Sequence, residues 1–108
     1  MKQTIIFLLA ATILFCLTAA AGAVPDSGRQ AELMYLLKHD CGSCHGMTRK
    51  GGLGPSLLPD ALRDRPPLLL VNTVLEGRAG TPMPPWRGEL SEQEAAWLVE
   101  MLRTGAGL

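Results

Sequence analysis

The sequence predicts an all-α fold, a small domain of three to four helices, on three observations. Apolar residues recur at helical spacing in three stretches, near residues 27, 68 and 92, each preceded by a helix-starting residue and followed by Gly or Pro. The one run that also reads as a buried strand, Leu68 to Val71, has no second strand to pair with. Between the first two helical stretches stand Cys41-Gly42-Ser43-Cys44-His45, a pattern that anchors a bulky group able to serve as the middle of a core.

Taken in order, Asp26 or Ser27 caps a helix running to about Asp40, with Ala31, Leu33, Met34, Leu36 and Leu37 as its apolar stripe. The cysteine motif follows at its end. Gly46 to Pro59 reads as loop, with Gly51-Gly52 and Gly54-Pro55 as turn markers. Asp60 caps a short turn over Ala61 to Arg65, which Pro66-Pro67 stops. Leu68 to Glu76 forms the second firm helix, ended by Gly77, with one apolar face for the bound group and one for the core. Gly77 to Gly88 is a second loop, stiffened by Pro82, Pro84 and Pro85. Ser91-Glu92-Gln93-Glu94 is a capping box, so a last helix runs to about Arg103 and closes at Gly105. Its expected buried face is Trp97, Leu98, Met101 and Leu102, packed on the first helix.

Residues 1–23 read as a secretory signal peptide: Lys2, an apolar run from Ile5 to Leu17, and the small-residue site Ala21-Gly22-Ala23. The same stretch, Ile5 to Val24, also has the length of an uncleaved anchor. Cleavage places the chain in the periplasm with no further membrane contact, and leaves a single domain over 24–108. Cys16 falls inside the apolar run and is read as filler. Only Cys41 and Cys44 remain, so no disulfide framework staples this short chain. Nine Lys and Arg against ten Asp and Glu in 24–108 argue against nucleic acid as a partner. The charge is uneven, with a basic middle (Arg49, Lys50, Arg63, Arg65, Arg78, Arg87) and an acidic end.

Cys-x-x-Cys-His is the attachment pattern of a c-type haem. Thiols three positions apart project from one side of a helical turn, so both reach the vinyl groups of a single porphyrin. The next residue, His45, then lies beneath the ring to bind the iron. If roughly 400 Å² of macrocycle leaves water, about 25 cal/mol/Å² gives on the order of 10 kcal/mol toward folding, an upper bound. A zinc site is disfavoured because His39, Cys41, Cys44 and His45 crowd four donors into seven residues. A thioredoxin-like dithiol lacks the βαβ pattern around it.

The second axial ligand decides between electron transfer and ligand binding. Met34 and Met101 lie on apolar helix faces, Met47 is too close to His45, and His39 precedes the first thiol and reads as a surface residue. Met83 stands in Thr81-Pro82-Met83-Pro84-Pro85-Trp86, 38 residues past His45, where flanking prolines hold the backbone still. Met83 is the expected iron ligand, and a carbonyl near Pro55 the expected partner of the second His45 ring nitrogen.

Cys41-Gly-Ser-Cys-His45, Gly54-Pro55, Gly77 and Met83-Pro84, in this order, resemble the small monohaem class I cytochromes c over the whole of 24–108. The resemblance implies helices wrapped on one haem, with first and last helices crossing. That crossing usually has an aromatic four residues before the first thiol, where this chain has Leu37. Asp40 to Thr48, Lys50 to Pro55, Leu75-Glu-Gly-Arg78 and Gly80 to Trp86 are further similar to the NirC-type cytochromes encoded beside the cytochrome cd nitrite reductase. This implies a monomeric, non-enzymatic electron carrier in denitrification, with that reductase as partner. The same group is also associated with maturation of haem d, and an open sixth site would instead make the chain a ligand-binding haem protein.

Overall fold

The computed structural model describes residues 22–107, so the export segment and Cys16 lie outside the description apart from Gly22 and Ala23. Among the described residues five α-helices follow in order: α1 (Ser27–Leu36), α2 (Gly42–His45), α3 (Pro59–Leu62), α4 (Pro67–Glu76) and α5 (Glu92–Thr104). No strand occurs among the described residues, as the all-α reading requires.

Asp26 is the cap of α1, its carboxylate accepting the Arg29 N–H at 3.0 Å. The expected stop at Asp40 does not occur. The chain continues through a π-helical turn, Leu37–Cys41, directly into α2, so the cysteine motif is itself helical. A π turn inserts a wider, i→i+5 loop into the helix, and such insertions recur at functional sites. Here it re-aims the final turn that bears both thiols. Unlike the expected turn capped by Asp60, α3 begins one residue before Asp60. Pro59 occupies its first position, where the missing N–H costs nothing, and Leu58 is the cap. Asp60 instead lies in the first turn and pairs with Arg63. The helix ends at Leu62, short of Arg65. α4 starts on Pro67 and ends at Gly77 (φ 69°), as the sequence indicates.

The core is a cluster of Leu33, Leu37, Leu62, Leu75, Leu90, Ala95, Leu98 and Leu102. Leu37, at the position where class I cytochromes c usually have an aromatic, is 1% exposed and fills it as aliphatic core. The last helix meets the first, but it packs mainly on α4 and α3. Its buried face is accordingly rotated from the expected one, to Ala95, Leu98, Val99 and Leu102, with Trp97 and Met101 half-buried at its flanks. Ala95 is 0% exposed. A small residue there permits close approach of a neighbouring element, which the larger Trp97 would prevent.

The start of α5 is tied down twice. Ser91 Oγ accepts the Glu94 N–H at 3.1 Å while the Ser91 N–H donates to Glu94 Oε2 at 2.9 Å, completing the capping box. Glu94 Oε1 also accepts from Arg29 Nε at 2.6 Å, joining α1 to α5. The Arg29 guanidinium and the Ser91 backbone hold the Glu94 carboxyl below its ordinary value. Its stabilising contribution is therefore complete above the ordinary carboxylate range and is lost as pH falls through the lowered folded value. Ser91→Ala should cost about 1 kcal/mol in denaturant unfolding. Glu94→Gln should flatten the acid side of the stability–pH curve below about pH 4, leaving a smaller loss between neutral and acid pH than in the parent.

Candidate haem site

Two loops, 46–58 and 77–90, together with α2, α4 and α5, enclose a cavity of ≈ 750 Å³. Cys41, Cys44, His45 and Met83 all contribute to its lining, so the four residues singled out in the sequence share one space. Much of the remaining wall is apolar, including Leu37, Leu57, Leu70, Val74, Leu98 and Val99. Both α4 and α5 thus serve core and cavity.

The imidazole is held by the loop that follows it. His45 Nδ1 lies 2.7 Å from the Pro55 carbonyl oxygen, the partner anticipated from the sequence. A carbonyl only accepts, so Nδ1 carries the proton and Nε2 keeps its lone pair for a metal. The loop itself is pinned to α2: the Gly51 N–H donates to His45 O and the Gly54 N–H to Cys44 O, each at 2.9 Å. These are carbonyls that a helix end otherwise leaves without partners. Gly54 passes so close to the ring that a Cβ there would stand 2.7 Å from both Cε1 and Nδ1 of His45. Burial, with the charge of Asp40 adding to it, pushes the Cys41 thiol up to about 11, so an unreacted Cys41 stays protonated at neutral pH.

Met83 enters from the second loop. Gly77 adopts φ 69°, and a Cβ on it would come within 2.7 Å of Met83 O, so the loop closes tightly only with glycine there. The loop's far end is anchored where the Trp86 N–H reaches Val74 O and Leu75 O, both at 3.1 Å, at the end of α4. Trp86 packs against the core cluster. The other sulfur and imidazole candidates fall outside the cavity lining. Met34 packs against the core, Met101 is half-buried on α5, Met47 is 48% exposed, and His39 is exposed and lies against Tyr35 with ring centroids 4.2 Å apart and the rings tilted by 39°.

The donor set fits a haem: two thiols at attachment spacing, an imidazole with its outer nitrogen fixed, a thioether in the same cavity, and apolar walls. Among the described residues no group of three or more His, Cys, Asp and Glu is disposed to hold a metal ion. Sequence reasoning passed over Thr73, Ala61 and Val99, which also line the cavity. Thr73 was hidden because its polar side chain interrupts the apolar pattern of α4; its hydroxyl is satisfied by Leu69 O at 2.8 Å. The roles of Arg65 and Arg78 as lining residues were legible only as part of the basic middle.

Comparisons with known proteins agree with this geometry. The model of the family described as cytochrome c oxidase, cbb3-type, subunit III matches residues 28–102. Cytochrome c55X of Pseudomonas aeruginosa is 56% identical over 97 residues, which cover 90% of this chain and 82% of the relative. A solved structure of the c-type cytochrome NirC superposes with a TM-score of 0.75 at 58% identity, covering 76% of this chain and 96% of that one. Dihydro-heme d1 dehydrogenase of Pseudomonas aeruginosa is 37% identical over 81 residues, 75% of this chain but only 16% of that protein.

Gly54→Ala must push the imidazole away from the Pro55 carbonyl. The expected outcome is a loss of about 1–3 kcal/mol in unfolding of the haem-bearing chain. A shift or loss of the His45 Nδ1–H resonance by NMR should accompany it.

Proposed function

The chain belongs to the family of small c-type cytochromes that includes cytochrome c55X and NirC, and on that premise we propose a periplasmic one-electron carrier serving the cytochrome cd nitrite reductase. The observation that carries the reading is the placement of His45, at the end of α2, and Met83, on the second loop, in one cavity with Cys41 and Cys44. In this reading the two thiols attach the haem, and His45 and Met83 are its axial ligands. Haem c, when bound, supplies the Fe(II)/Fe(III) couple. The chain's own part is to hold both ligands at fixed positions and to surround the group with apolar side chains. Imidazole with thioether, in a site of low polarity, favours a raised potential. Export through residues 1–23 and a monomeric state complete the proposal. Among the described residues no helix is long and apolar enough to cross a membrane.

Docking is read from the rim. Arg65 and Arg78 line the cavity, and neither pairs with a carboxylate among the described residues, whereas Arg29, Arg63, Arg87 and Arg103 all do. Two unpaired guanidinium groups beside the haem favour an acidic partner surface. The likeness to a stretch of dihydro-heme d1 dehydrogenase favours a second role, in maturation of haem d. Deleting the gene separates the two: a reductase lacking haem d supports maturation, and a complete reductase starved of electrons supports the carrier. A ligand-binding haem protein requires Met83 to be off the iron.

Met83→Ala should abolish the iron–thioether charge-transfer band of the oxidised protein. It should also lower the potential by on the order of 100 mV and admit carbon monoxide to the reduced form. An unaltered spectrum in this variant would remove Met83 from the site. Reduction of the nitrite reductase should slow about tenfold from low to physiological salt. A rate indifferent to ionic strength would exclude docking through Arg65 and Arg78.

A further inference from the structure

We propose that the Thr81 hydroxyl is the positioning group for Met83 and sets how tightly the sixth position stays closed. This rests on Met83 being the iron ligand. In Pro82-Met83-Pro84-Pro85 only Met83 carries an amide hydrogen, because proline has none. That single N–H donates to Thr81 Oγ1 at 3.3 Å. The same hydroxyl donates to the Arg78 carbonyl at 2.7 Å, and the Thr81 N–H reaches that carbonyl at 3.1 Å. The Met83 carbonyl in turn accepts the Arg78 N–H at 3.2 Å. Both backbone groups of Met83 are thus tied to one turn, Arg78 to Thr81, and the hydroxyl is the one side-chain contact in the tie.

Thr81 and Met83 both line the cavity, so the turn that fixes the backbone lies beside the sulfur it positions. The prolines restrict φ on either side of Met83 but supply no hydrogen bond. Without the hydroxyl, the Met83 N–H loses its protein partner and the loop opens more often. An outside ligand binds only the open fraction, so its apparent affinity rises in proportion to that fraction.

The test is a titration of the oxidised, haem-bearing protein with imidazole, followed optically, in the parent, Thr81→Val, Thr81→Ala, Thr81→Ser and Met83→Ala. Thr81→Val and Thr81→Ala should both bind imidazole roughly tenfold more tightly than the parent, as loss of one or two hydrogen bonds implies, with a weakened charge-transfer band. Thr81→Ser, which restores the hydroxyl, should stay within about twofold of the parent. Affinities of Thr81→Val and Thr81→Ala equal to the parent overturn the proposal, as does a Thr81→Ser variant as open as they are. A parent that already binds imidazole as tightly as Met83→Ala shows instead that Met83 is not the ligand, and this inference then falls with that reading. Thr81 is exposed, so the substitutions leave the core untouched.

Discussion

The hydrogen bond between His45 Nδ1 and the Pro55 carbonyl is the constraint from which the site follows. For it to form, the chain after α2 must turn back within ten residues and bring a carbonyl against the ring. It does so by donating the amides of Gly51 and Gly54 to the last carbonyls of α2, so one loop both finishes the helix and fixes the imidazole. Gly54 has no side chain because the ring occupies the space one would need. A helix end, a loop and a tautomer are thereby decided together. None of the three can change without the others.

The rest of the chain is arranged around a space rather than around its own side chains. Among the described residues nine apolar side chains are buried, and they come from every long helix. Six of them, Leu37, Leu62, Leu90, Leu98, Val99 and Leu102, also line the cavity. A domain of this length has only a small core of its own, and a bound group adds to it. Here a haem attached through Cys41 and Cys44 would add apolar surface inside the cavity that the helices line. Fold and cofactor site are one feature, which is why the helices that build the core also present lining residues.

Much of this was legible in the sequence wherever a residue type has one dominant local use. Asp26, Ser91 with Glu94, Pro67, Gly77 and Gly105 start and stop helices as capping chemistry dictates, and the structure places them so. The pairing of His45 with the Pro55 carbonyl was legible because a metal-binding histidine needs its outer nitrogen fixed and Gly54-Pro55 supplies a close turn. The π turn at Leu37–Cys41 was not, since propensity does not distinguish i→i+4 from i→i+5 bonding. The buried face of α5 was misjudged because Ala95, Trp97, Leu98, Val99, Met101 and Leu102 offer two overlapping apolar faces. Only the neighbouring helices choose between them. Asp60 yielded the cap of α3 to Leu58 because Pro59, one residue earlier, already has the first-turn conformation built in.

The two proposed axial ligands are held by different means, and the difference bears on electron transfer. His45 is fixed at the side chain itself, through Nδ1, on a helix whose last two carbonyls accept hydrogen bonds from the loop that follows. Met83 is fixed only through its backbone, by Gly77, Arg78 and Thr81, and its thioether is steered from there. A change of charge at the iron would therefore leave the imidazole where it is, and any adjustment would fall on the flexible thioether arm. Confining adjustment to one soft, uncharged ligand keeps rearrangement small and local. With Met83 bound as proposed, the geometry of this loop would keep the sixth position filled.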